Sequence, residues 1–117
     1  MNPFDYSLCD QTVTVYRKVG EEVTRQVAEN AYLSTKVSTP AENYGKSLEK
    51  TFRLIIPGNV ALFPGDMVFM GTGPETVDWK TFLPVLVPEL FEVSFAKPCY
   101  WEGEPVHWEA GNRKEQM

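Results

Sequence analysis

The side chains with the richest chemistry are few: one histidine, His107, and two cysteines, Cys9 and Cys99. A zinc site takes three or four ligands from Cys, His and carboxylates. Cys9, Cys99 and His107 supply three donors only if the fold gathers them, and their spacing matches no zinc pattern. The sequence favours an imidazole that is satisfied or exposed beside Trp108. Cys99 and His107 could also make a thiol nucleophile and its base. That chemistry needs a depressed thiol pKa, an oriented base and donors placed for an oxyanion. No oxyanion device is visible in the sequence. The two cysteines are far apart and in no scaffold pattern, so both are read as reduced thiols, which suits a cytoplasmic protein.

Carboxylates are abundant, for example Glu89 with Glu92 and Glu102 with Glu104. Glycosidase-type catalysis needs two of them at a set separation across a cleft. Spacing alone does not build that cleft, and solvated faces account for these residues. Gly71-Thr72-Gly73 is followed by Pro74-Glu75 rather than by Gly-Lys-Ser/Thr and a helix, so it reads as a turn and not a phosphate loop. Phe91, Phe95, Tyr100 and Trp101 sit among Glu89, Glu92, Glu102 and Glu104. Base-stacking platforms are flanked by basic residues instead. The formal net charge of -5 points the same way, since phosphates require a basic surface; no nucleic acid is expected as a direct ligand. With no calcium-loop pattern and too few thiols and imidazoles for a structural zinc, the chain is expected to fold without metal and to carry no cofactor.

The elements that position these residues read as β. The chain has 117 residues, 43% hydrophobic and 13% aromatic, with nine prolines and eight glycines. That composition suits one globular domain with many turns and no long helix. Thr12-Val13-Thr14-Val15-Tyr16 alternates in polarity and is rich in β-branched residues, the clearest strand. Gly20-Glu21 makes a turn, and residues 23–27 return as a hairpin partner. Residues 31–38 alternate again, ending at Thr39-Pro40, and residues 40–47 read as a polar loop. Residues 47–56 form a long strand with Leu48, Phe52, Leu54 and Ile56 on one face. Pro57-Gly58-Asn59 and Pro64-Gly65-Asp66 are turns, and residues 67–70 are a short apolar strand. Residues 91–96 read as a last clear strand, and residues 106–110 as a further short one.

The expected architecture is therefore all-β, a small antiparallel β-barrel or sandwich of six to eight short strands. Residues 1–11 are expected to be irregular, residues 12–111 to form the single β domain, and residues 112–117 to be a mobile polar tail. Alternation assigns Val13, Val15, Leu33, Val37, Phe52, Leu54, Val68, Val93 and Phe95 to the core. The start, Met1-Asn2-Pro3-Phe4-Asp5, has neither a basic region nor an apolar run. Apolar stretches stay well below the roughly 20 residues of a membrane span, so no membrane association is expected.

One segment leans toward function. Phe82-Leu83-Pro84-Val85-Leu86-Val87-Pro88 is apolar and bracketed by prolines that forbid a regular helix. Phe82, Leu83, Val85, Leu86 and Val87 are the candidate protein-interaction residues, because exposed apolar patches commonly mark partners. The alternative is that they cover an open end of the barrel as core.

Several landmarks together resemble a family of small prophage proteins from Gram-positive bacteria, minor capsid or head–tail joining proteins. They are the opening strand Thr12-Val13-Thr14-Val15-Tyr16, the stretch Phe52-Arg53-Leu54-Ile55-Ile56-Pro57, the signature Pro64-Gly65-Asp66-Met67-Val68-Phe69-Met70-Gly71, and the closing Val106-His107-Trp108-Glu109-Ala110-Gly111. Their order spans residues 12–111; Pro98-Cys99-Tyr100-Trp101 departs from the more polar turn of that family. The resemblance implies a non-enzymatic structural component of a phage or prophage particle at the head–tail junction. Its partners would be phage structural proteins or copies of itself, first in the host bacterial cytoplasm and then in the virion. The rival expectations are a free-standing small β-barrel binding module for a peptide or small ligand, and a small hydrolase built on Cys99 and His107.

Overall fold

The computed structural model describes residues 4–38 and 49–112. The polar loop expected at residues 40–47, Leu48, the side chain of Val37 and the tail from residue 113 onward lie outside the described residues. Among the described residues, seven strands form one antiparallel sheet: β1 (Gln11–Val19), β2 (Glu22–Ser38), β3 (Glu49–Pro57), β4 (Met67–Met70), β5 (Leu90–Glu92), β6 (Phe95–Trp101) and β7 (Glu104–Gly111). Their spatial order is β5-β4-β1-β2-β3-β7-β6. The fold is all-β, a strongly curled half-barrel, and no helix occurs among the described residues.

Two features of the chain impose the curl. The first is β2, which runs for 17 residues and pairs with β1 through its first half and with β3 through its second. Residues 23–27 and 31–38 are thus one strand, not two. No glycine or proline separates them, and a register shift stands between the two expected segments: Val13 pairs with Ala28, but Gln11 with Ala31. The extra residue is a bulge, which bends and twists its strand. The second feature is the junction of β5 and β6. Residues 91–96, expected as one strand, break at Val93-Ser94, and the two halves join opposite edges of the sheet. Two linking residues cross between edges only if the edges have curled together. The crossing is held by backbone bonds from Gly65 N to Val93 O, Val93 N to Asp66 O and Ser94 N to Gly111 O, each 2.8 Å.

Inside the curl, Val13, Val15, Ala28, Ala31, Leu33, Phe52, Leu54, Ile56, Leu62, Val68, Phe91, Val93 and Ala110 form one buried apolar cluster. The rings of Phe52 in β3 and Phe91 in β5 lie 5.4 Å apart and span the hollow. Seven of the nine expected core residues are buried; Phe95 is half-buried because it sits in the edge strand β6 rather than beside Val93. Trp108 is half-buried too, packed on the cluster with its indole N–H donated to Asn59 Oδ1 at 3.1 Å. Trp108→Ala should therefore cost about 2 kcal/mol in urea unfolding, below the roughly 3–5 kcal/mol of a fully buried large aromatic.

The outer face of the sheet is covered in two places. Residues 71–89 fold back over β1 and β4, so both faces of β1 are buried. Thr14 and Tyr16, which alternation turns away from the interior, are fully buried beneath this cover. Thr14 Oγ1 donates to Gly71 O and accepts from Gly73 N, while Tyr16 Oη donates to Pro74 O. Arg25 in β2 donates to Gly73 O and Pro74 O. The glycines of the expected turn make this approach possible: Gly71 has φ 91°, and a Cβ at Gly73 would collide with Tyr16 and Phe69. The second cover is the N-terminal segment, residues 4–10, which lies over the outer face of β3 and β7.

Candidate functional site

The apolar segment singled out in the sequence belongs to the first cover, and its residues part company. Phe82 is buried, edge-on to Tyr16 with centroids 4.8 Å apart, in a second apolar cluster with Met67 and Leu90. Val87 is half-buried against the same cluster. Pro84 begins a tight turn in which Leu86 N and Val87 N both donate to Leu83 O at 2.9 Å. The turn lifts its apolar side chains into solvent: Leu83 is 36% exposed, Val85 75% and Leu86 61%. One end of the segment is an anchor and the middle is an apolar knuckle.

The second constellation lies on the outer face under the N-terminal segment. The β6–β7 hairpin turns at Glu102-Gly103, both with positive φ, which is the type I′ geometry that suits the twist of a two-residue hairpin. Its register sets Cys99 directly opposite His107. Glu109 follows two residues later on the same face of β7, opposite Ile55 of β3. Two donors converge on one carboxylate oxygen. Glu109 Oε2 lies 3.0 Å from His107 Nε2 and accepts from the Cys99 thiol at 3.2 Å. Arg53 approaches the other oxygen, Oε1, at 3.4 Å. The remaining ring nitrogen, His107 Nδ1, is 2.7 Å from the Tyr6 hydroxyl, which also lies 3.3 Å from Val106 O. Phe4 and Tyr6 pack edge-on against the imidazole, which is 3% exposed. Beside it opens a cavity of about 220 Å³, lined by Phe4, Tyr6, Cys9, Tyr32, His107 and Glu109 among others.

The electrostatics follow from this packing. Burial pushes the Cys99 thiol up, and its hydrogen bond to the Glu109 carboxylate and that charge push it further, against a smaller effect of Lys97. For Glu109, burial alone would raise the carboxyl. The hydrogen bonds from His107 and Cys99, with the charges of Arg53 and Lys97, outweigh it and hold the group below its ordinary value. The Cys9 thiol is raised by burial, with Asp10 and Asp5 adding to it. Cys99 therefore keeps its proton and donates a hydrogen bond to Glu109; it is not poised as a thiolate on His107, whose two nitrogens face Glu109 and Tyr6. The contemplated Cys-His pairing is close in space but differently connected.

Sequence reasoning named Cys99 and His107 but missed Glu109 and Tyr6. Cys9, the other thiol it weighed, lines the cavity and is not part of the Cys99, His107 and Glu109 cluster. The signal for Glu109 was its two-residue spacing from His107 on a strand. Tyr6 left none, because it reaches the site across 101 positions of sequence. No protein-family model, curated protein or solved structure matches the chain.

Proposed function

We propose that this protein is a non-enzymatic structural component of a phage or prophage particle at the head–tail junction, acting through protein–protein packing. One observation carries the docking part of this reading: Leu83, Val85 and Leu86 are held in solvent on a turn whose base is nailed down by Phe82. A stiff apolar knuckle loses little entropy on docking. The head–tail setting itself rests on the sequence resemblance. Partners in this reading are phage structural proteins or further copies of the chain, met in the host cytoplasm and retained in the virion. An acidic surface suits contact with other proteins better than contact with packaged DNA.

Leu86→Asp tests the reading. The side chain is exposed, so the variant should melt within a degree or two of the parent, a surface substitution usually staying within about ±0.5 kcal/mol. Particle formation should be abolished in a complementation assay. A variant that melts normally and still supports full particle yield would sink the docking reading.

A binding module for a small ligand is the second reading, and the cavity beneath the N-terminal segment favours it. At about 220 Å³ the space is smaller than the roughly 300–1,000 Å³ of pockets for drug-sized molecules, so it suits an ion or a very small molecule.

A further inference from the structure

We infer that Cys99, His107 and Glu109 form a binding site for a divalent transition metal of the zinc type, with the fourth coordination position left to water or a small anion. The three donor atoms Sγ, Nε2 and Oε2 all lie within 4.8 Å of one another. Zinc bonds of about 2.0–2.3 Å at tetrahedral angles set donors about 3.3–3.6 Å apart. Here Nε2 and Oε2 are 3.0 Å apart, and Sγ and Oε2 3.2 Å. Small side-chain adjustments within one hairpin therefore admit the ion, with no movement of backbone. The donor set of one thiolate, one imidazole and one carboxylate suits zinc, and its two negative charges match the ion.

The outer contacts are already those a metal site requires. A histidine binding through Nε2 must carry its proton on Nδ1 and hand it to an acceptor. Tyr6 Oη lies 2.7 Å from Nδ1, and its own hydroxyl proton has a second acceptor in Val106 O at 3.3 Å. The tyrosine thus serves either tautomer. Arg53 engages Glu109 Oε1 and leaves Oε2 toward the other two donors. On binding, the thiol proton of Cys99 leaves to solvent, the imidazole proton moves from Nε2 to Nδ1, and the ion takes the point now shared by two hydrogen bonds. Three protein ligands leave one position for water or a small anion, and two of the three, His107 and Glu109, line the cavity. Both apolar clusters are built from other residues, so folding does not depend on the ion. The site is independent of the docking knuckle.

The test uses the full chain carrying Cys9→Ser, so that Cys99 is the one remaining thiol. Cobalt(II) is titrated in, followed by zinc in competition with a chromophoric chelator. One metal per chain is expected, with a cobalt–thiolate charge-transfer band in the near ultraviolet that zinc abolishes. Adding Cys99→Ala should remove the band and weaken zinc binding roughly 100-fold or more, while Tyr6→Phe should keep the band and weaken zinc binding about 10–100-fold, the usual effect of losing an outer-shell partner. Circular dichroism confirms that each variant is folded. No metal bound at micromolar concentrations, or cobalt bound without the thiolate band, would overturn the assignment.

Discussion

Arg17→Met is expected to lower the unfolding free energy by about 3–5 kcal/mol, because it strands a buried carboxylate. Asp66 is 2% exposed and accepts from Arg17 Nε at 2.9 Å, Arg17 Nη2 at 2.8 Å and Phe63 N at 3.0 Å. Methionine keeps most of the apolar stem of arginine but leaves that charge with a single backbone donor. The same guanidinium donates to Ala61 O at 2.9 Å and stacks 4.5 Å over the Phe63 ring, so it also pins the turn before β4. Asp66→Asn is the milder companion, at about 1–3 kcal/mol, since Arg17 is 31% exposed and recovers part of its solvation. Urea unfolding of the two variants checks the order. A cost under about 1 kcal/mol for Arg17→Met would show that the carboxylate finds other solvation. The Gly-Asp signature noted in the sequence thus has a structural reason: Gly65 takes φ 95°, and Asp66 closes the turn and clamps β1 to it.

Phe82→Ala should cost a further class of stability, about 3–5 kcal/mol, by emptying the second apolar cluster. The ring meets Tyr16 edge-on at 4.8 Å and Phe69 at 6.5 Å, and its loss unlatches the cover over β1 and β4. Leu86→Ala, four residues on, should be neutral within about 0.5 kcal/mol. The pair separates anchor from knuckle within a single apolar run. Equal effects of the two substitutions would mean that the segment packs as a unit.

What the sequence made legible was whatever alternation governs. The first strand, the β3 face bearing Phe52, Leu54 and Ile56, and β4 at Met67–Met70 all follow from period-two patterning bounded by turn residues. It failed where tertiary context overrides the period. Thr14 and Tyr16 lie on the face that alternation gives to solvent, yet both are buried, because a distant loop returns to cover them. The bulge in β2 carries no glycine or proline to announce it, so one long strand read as two. The break at Val93-Ser94 is equally silent: the apolar alternation of Phe91, Val93 and Phe95 continues through a point where the chain changes edges. The Cys99–His107–Glu109 cluster was half legible. The Glu102-Gly103 turn alone would set Cys99 opposite Val106; a register shift between Cys99 and Tyr100 brings His107 there instead, and the Tyr6 contact comes from outside the hairpin altogether.

The apolar knuckle also ties the architecture to the proposed role. Both covers of the outer face end in groups that do not serve the core: Leu83, Val85 and Leu86 on one, and the polar cluster with its cavity under the other. In the proposed reading the first would meet a partner and the second would hold an ion; both apolar clusters of the half-barrel are built from other residues.

The proposed role is tested most directly by quantitative mass spectrometry of particles purified from an induced host that carries the gene. The account predicts this chain at a fixed copy number per particle, retained through density-gradient purification, and absent from the structures that accumulate with Leu86→Asp. Complete, infectious particles that lack the chain would contradict it.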